Sequence, residues 1–132
     1  MKLLVGMMFL LLLVSAYGQG PRFATATRAR NGHLIGLSNI LGLSDCTSTE
    51  FSGKVREIEV NGDKAQFELR SKKDAAKKRQ TRAVEVDLVR IAPADRKSLF
   101  HDLIQNRRVL RVAGYICKPG DPISAFSIDL IY

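Results

Sequence analysis

One stretch limits what this chain can fold into. Residues 94–107, ADRKSLFHDLIQNR, are the one segment after the N-terminal leader that reads firmly as a helix. Leu99, Phe100, Leu103 and Ile104 fall at i, i+1, i+4 and i+5 and make a single apolar stripe. Arg96, Lys97, Asp102, Gln105 and Arg108 lie off that stripe. Pro93 suits the first helical turn, with Asp95 or the residue before Pro93 as the cap. A helix with one apolar stripe has to cover apolar surface. The only surface on offer is made by strand-like runs, three before the helix and two after it, in the order β-β-β-α-β-β.

The first run, residues 53–60, does not keep one parity: Val55 sits on one face, Ile58 and Val60 on the other. A slip between Arg56 and Glu57 is expected, as at a β-bulge. Asn61-Gly62 then signals a tight hairpin. The second run, residues 64–70, alternates cleanly, with Ala65, Phe67 and Leu69 inward and Gln66 and Glu68 outward. The third, residues 83–91, holds Val84, Val86 and Leu88 on one face, and a second slip brings in Val89 and Ile91. The fourth, residues 109–117, turns Leu110, Val112 and Ile116 to one side, and Gly114 leaves room there for a bulky neighbour. Lys118-Pro119-Gly120-Asp121-Pro122 is a turn. The fifth, residues 123–132, places Phe126, Ile128, Leu130 and Tyr132 together. Slipped parity in two strands is what a small, strongly coiled barrel demands.

What precedes these runs has a different character. Lys2, a nearly unbroken apolar run over residues 3–14 and the small residues Ala16 and Gly18 read as a signal peptide over residues 1–18. A membrane anchor is the alternative, but the run is short for a span. Residues 19–30 carry Pro21, Arg22, Arg28 and Arg30 without an acid and read as an irregular lead-in. Residues 34–39 (LIGLSN) and 40–45 (ILGLSD) nearly repeat each other. Gly36 and Gly42 each cost a helix about 1 kcal/mol relative to Ala. Two hexapeptides are too few for a solenoid. An ordered apolar segment packed on the edge of the strand domain is expected, with a partner-binding segment as the alternative. The division is thus residues 1–18 as leader, 19–52 as extension and 53–132 as the domain proper.

Cys46 and Cys117 are the only cysteines. In an exported chain one disulfide is the default, with two buried thiols the alternative. Closing so long a loop is worth on the order of 4 kcal/mol. Two cysteines with the sequence-distant His33 and His101 are too few for a metal site, and none is expected. His101 has no catalytic partner recognisable by spacing beyond the adjacent Asp102, and no phosphate loop, paired-carboxylate motif or Ser/His/Asp pattern occurs. No enzymatic role and no cofactor are expected.

Charge is the remaining signal. Lys and Arg number 21 against 13 Asp and Glu, a formal net charge of +8, and the excess is concentrated. From Arg70, the last residue of the second run, to Arg82 there are seven basic residues, Arg70, Lys72, Lys73, Lys77, Lys78, Arg79 and Arg82, opposed by Asp74 alone. These seven are the candidate ligands for a polyanion. The alternative is a solvated loop whose charge serves solubility.

The order β-β-β-α-β-β, with the helix between the third and fourth strands, is that of the OB-fold, so the expected class is all-β with one helix: a five-stranded OB-like Greek-key barrel with an N-terminal extension. With export and a single disulfide, the chain resembles the B-subunits of the AB-type bacterial toxins, the Shiga and cholera groups. In those subunits a Cys just before the first strand joins one near the end of the fourth. Here Asp45-Cys46 shortly precedes Gly53-Lys54-Val55, similar to the opening of the Shiga-type subunits, and Cys117 ends the fourth run. Departures are residues 19–45, the long basic second loop and the absence of Trp. The resemblance implies an exported, non-enzymatic module, periplasmic or extracellular, that recognises a glycan or acidic surface group and assembles with copies of itself through edge strands. The alternative is a periplasmic domain that binds a polyanion (nucleic acid or acidic glycan) or a protein partner. No transmembrane segment is expected in the mature chain.

Overall fold

The computed structural model describes residues 23–72, 78–105 and 107–132. The expected leader, residues 19–22, Lys73 and Lys77 lie outside these residues. The described chain forms seven strands, β1 (Thr25–Arg28), β2 (Leu34–Ser38), β3 (Thr47–Asn61), β4 (Lys64–Arg70), β5 (Thr81–Asp87), β6 (Val109–Ile116) and β7 (Ile123–Leu130), with one short helix, α1 (Pro93–Ser98), between β5 and β6. All seven belong to one mostly antiparallel sheet in the order β1-β2-β7-β5-β4-β3-β6, and β6 also bonds to β7. A β-rich architecture with one helix therefore stands, with two strands more than expected.

The added pair is the lead-in, which is a hairpin and not irregular. β1 pairs with β2 from Thr25↔Ser38 to Arg28↔Leu34, and β2 joins β7 through Gly36↔Asp129 and Leu37↔Ile128. The near-repeat does not repeat in space. LIGLS is β2, with Leu34 and Leu37 buried. In the second copy the Ile40 N–H donates to the Phe126 carbonyl at 3.0 Å, while Leu43 is 96% exposed. The two copies split because Asn39 turns the chain through a left-handed φ of 57°.

β3 begins at Thr47, earlier than residue 53, because its first half runs along β6 from Thr47↔Ile116 to Lys54↔Val109 before its second half pairs with β4. The expected slip is present. Register shifts between Arg56 and Glu59, and Glu57 takes a left-handed φ of 51°. Beyond it Ile58 and Val60 remain partly exposed, 38% and 53%, so the bulge does not return them to the core. The β3–β4 loop consists of Gly62-Asp63 between the paired Asn61 and Lys64, with Gly62 at φ 61°. This follows the Gly-first preference of a two-residue turn, one residue later than Asn61-Gly62.

β4 matches expectation throughout: Ala65, Phe67 and Leu69 are buried. β5 ends at Asp87, and the second slip is a 3-10 turn, Leu88–Arg90, which the Asp87 carboxylate caps by accepting from the Val89 N–H. The turn sends Ile91 into the core and leaves Val89 exposed. In β7 the inward set is Ile123, Ala125 and Ile128, not Phe126, Leu130 and Tyr132. Parity changes there because the β6–β7 register shifts between Ala113 and Gly114. A Cβ on Gly114 would collide with the Ser124 carbonyl and lie 2.9 Å from the Ile123 side chain, so glycine is required by contact.

The helix is shorter than residues 94–107. Pro93 opens it, with Ala92 as an N-cap that makes no side-chain bond. After Ser98 the chain widens into a π-turn, Leu99–Leu103, closed by the Ile104 N–H donating to the Leu99 carbonyl at 2.8 Å. The extra residue shifts the inward face. Leu99, Leu103 and Ile104 are buried as expected, Phe100 packs at the margin, and Asp102 turns inward.

Cys46 and Cys117 form the disulfide, with Cα atoms 4.6 Å apart, one step beyond the Thr47↔Ile116 pair. It adds a covalent rung to the β3–β6 ladder and spans 71 residues of sequence. Replacing both cysteines by serine is expected to lower stability by about 4 kcal/mol, read by urea denaturation; an unchanged midpoint would contradict the loop-closure account. Gly114→Ala is expected to cost about 1–3 kcal/mol by overpacking, while Gly42→Ala, where a Cβ meets nothing within 4 Å, serves as the neutral control.

Candidate functional site

Two constellations carry chemistry. The larger is a groove of about 1070 Å³ between the middle of β3, the end of β4, the approach to β6 and the residues after β7. Six cations line it, Lys54, Arg56, Arg70, Lys72, Arg79 and Arg107, against the single acid Glu57. The folding of each segment explains its place. Lys54 and Arg56 alternate outward on β3, and Val55 between them is buried. Arg70 ends β4. The Ser71 N–H donates to the Gln80 carbonyl and the Gln80 N–H to Ser71 Oγ, both at 2.9 Å, which draws Arg79 back beside Lys72. Arg107 adopts a left-handed φ of 75°, and its N–H and the Arg108 carbonyl bond to Val55, turning the post-helical chain along β3.

Gly53 sets how closely the walls approach. A Cβ there would lie 2.6 Å from the Arg70 carbonyl. The next pair along, Lys54↔Arg70, opposes two cations directly across the β3–β4 ladder. Like charges in that relation destabilise a sheet. None of the six cations forms an ion pair with an acid among the described residues. The far wall is apolar and aromatic: Val109, Ile131 and Tyr132, with the Lys72 ammonium 5.5 Å from the centre of the Tyr132 ring.

Of the seven cations expected to act together, Arg70, Lys72 and Arg79 meet in this groove. Arg82, opposite Leu69 on β5, is exposed but does not line it, and Lys78 is exposed at the loop stem. Lys73 and Lys77 lie outside the described residues. Lys54, Arg56, Arg107 and Tyr132 were not legible as members. The alternation of Lys54 and Arg56 around Val55 was the available signal.

The second constellation joins β2 to the helical segment. Asp102 is the buried charged side chain of the described residues. Its Oδ2 accepts the Leu34 N–H at 2.8 Å, and its Oδ1 meets His101 Nδ1 at 2.7 Å and His33 Nδ1 at 2.9 Å. The hydrogen bonds from His101, the Leu34 backbone and His33 hold the carboxyl well below the usual carboxylate range, against the opposing effect of burial. The carboxylate is covered by the rings and hairpin at the rim of the molecule, not sunk in the core. The histidines, distant in sequence, are neighbours with nearly parallel rings, 5° between planes and 6.2 Å between centroids. Arg28 reinforces the same junction through Asp95 Oδ1 at 2.6 Å and Ser98 Oγ at 3.2 Å. The π-turn explains why helical periodicity misplaced Asp102.

Asp102→Ala is expected to cost about 1–3 kcal/mol, since it leaves the Leu34 N–H without an acceptor. Hydrogen exchange should show the loss concentrated in β1 and β2; uniform loss across the sheet would contradict a local junction.

Comparison with known protein families, with curated proteins and with solved structures finds no match to this chain.

Proposed function

We propose that the chain is an exported, non-enzymatic binding module that recognises an acidic glycan or a comparable anionic surface group in the basic groove. The observation that carries this reading is the Lys54↔Arg70 rung together with four further cations around one cleft. Such crowding opposes folding, so its use lies in holding an anion that neutralises it. Tyr132 and Ile131 give the groove an apolar wall, suited to the face of a sugar ring. Single-stranded nucleic acid is less well served, because sequence-tolerant binding draws on several stacked aromatic rings and this groove offers one.

An OB-like barrel is the architecture we propose for the frame. Its support is the cycle of pairings β3–β4, β4–β5, β5–β7, β7–β6 and β6–β3, with the helix between β5 and β6. The disulfide at the start of β3 and the end of β6 supports the resemblance to toxin B-subunits. The bond is consistent with an oxidising compartment. No helix among the described residues is long and apolar enough to cross a membrane. Ring assembly through the last strand does not carry over from that resemblance, because β2 occupies the flank of β7 such assembly needs.

Heparin serves as the probe. The chain is expected to bind it with strong salt dependence. Replacing Lys54, Arg70 and Lys72 together by alanine should lower the elution salt sharply, and the salt slope should fall by about one for each cation removed. Retention unchanged in the triple variant would remove the groove as the binding site, and no retention by the parent chain at low salt would remove the acidic-glycan reading.

A further inference from the structure

We propose that His33, His101 and Asp102 form a surface site for a divalent transition-metal ion of the zinc class, ligated by the two imidazole Nδ1 atoms and Asp102 Oδ1. The three ligand atoms lie within 4.8 Å of one another. The chain contains two histidines in all, and both bring the same ring nitrogen to the same carboxylate oxygen although one precedes the sheet's second strand and the other lies on the helical segment. Both nitrogens lie within hydrogen-bond distance of Oδ1, at 2.9 and 2.7 Å.

The supporting contacts suit a ligand set. Asp102 Oδ2 is fixed by the Leu34 N–H, which leaves Oδ1 to act as a single-oxygen ligand and gives the carboxylate the second hydrogen bond that metal-bound carboxylates carry. Metal–ligand bonds of about 2.0–2.1 Å in a tetrahedral set put ligand atoms about 3.3 Å apart. The present N···O separations of 2.7 and 2.9 Å have to open slightly, and the two imidazole nitrogens, within 4.8 Å of each other, have to draw together. The rings can do so, since the His33 and His101 side chains are 56% and 72% exposed.

Two imidazoles and one carboxylate select zinc, copper or nickel over hard cations. With three protein ligands the ion keeps at least one position for water or an incoming donor. The proton balance is simple: a neutral imidazole moves its proton from Nδ1 to Nε2 through solvent, and Nδ1 takes the ion. Binding would clamp the β1–β2 hairpin to the π-turn. This is independent of the anion-binding groove.

The test is isothermal titration of the untagged, disulfide-bonded chain with zinc chloride in a non-chelating buffer. One equivalent is expected to bind at micromolar concentration, with no competition from magnesium. His33→Ala and His101→Ala should each weaken binding at least about tenfold, and the double variant should abolish it while circular dichroism stays unchanged. Nitrogen-15 spectra supply a readout that needs no variant: zinc should shift Nδ1 of both imidazoles. No binding at millimolar zinc, equal binding of magnesium, unshifted imidazoles or undiminished affinity in the folded double variant would each overturn the site.

Discussion

Strand β7 has two edges and serves three partners, and most of the molecule is arranged by how it does so. Along one flank it runs beside β6 from Leu130 to Ser124. Along the other it meets β5 in parallel at Ile123 and Ser124, and then β2 at Ile128 and Asp129. A backbone that must satisfy its N–H and C=O groups cannot leave the second half of that flank bare and apolar. The hairpin of the lead-in fills it. At Gly36 a Cβ would meet Asp129 Oδ1 at 2.7 Å, the end of a side chain that can turn aside, and the Ile128 carbonyl at 3.4 Å. The hairpin is part of the sheet, and the polar junction at Asp102 holds its turn end to the helical segment.

The helical segment has two duties that a regular α-helix would set against each other. It must bury Leu99, Leu103 and Ile104 against the core, and it must present a carboxylate to the first residue of β2. On an unbroken 3.6-residue repeat Asp102 points away from the apolar stripe. The i→i−5 closure at Ile104 resolves this by adding a residue to the turn. The same irregularity sends the chain out through Arg107 along β3 and delivers that side chain to the basic groove.

What could be read from the sequence was local. β4 was legible to the residue, because period-2 alternation and a Gly-containing turn are short-range signals. The bulge near Glu57 was legible for the same reason, as a break in a pattern that otherwise holds. The disulfide followed from the cysteine count and the expected export. The β1–β2 hairpin was not legible, because β2 is covered around Leu34, Gly36 and Leu37 and shows no alternation. The basic loop announced Arg70, Lys72 and Arg79 as neighbours in sequence. Lys54, Arg56, Arg107 and Tyr132 reach the same cleft from three other segments, and only the sheet order brings them there. His33 and His101 meet for the same reason, across a junction made by a π-turn that periodicity cannot foresee.

The rung that faces Lys54 with Arg70 gives the fold a dependence on its surroundings. Two like charges paired across a ladder repel each other in dilute buffer. Any anion lodged between them removes that repulsion and favours the folded chain by mass action. Were the groove to hold the anion proposed for it, occupancy and rigidity would be coupled: the loaded protein would be the more ordered one, and a bath of simple salt would imitate its guest.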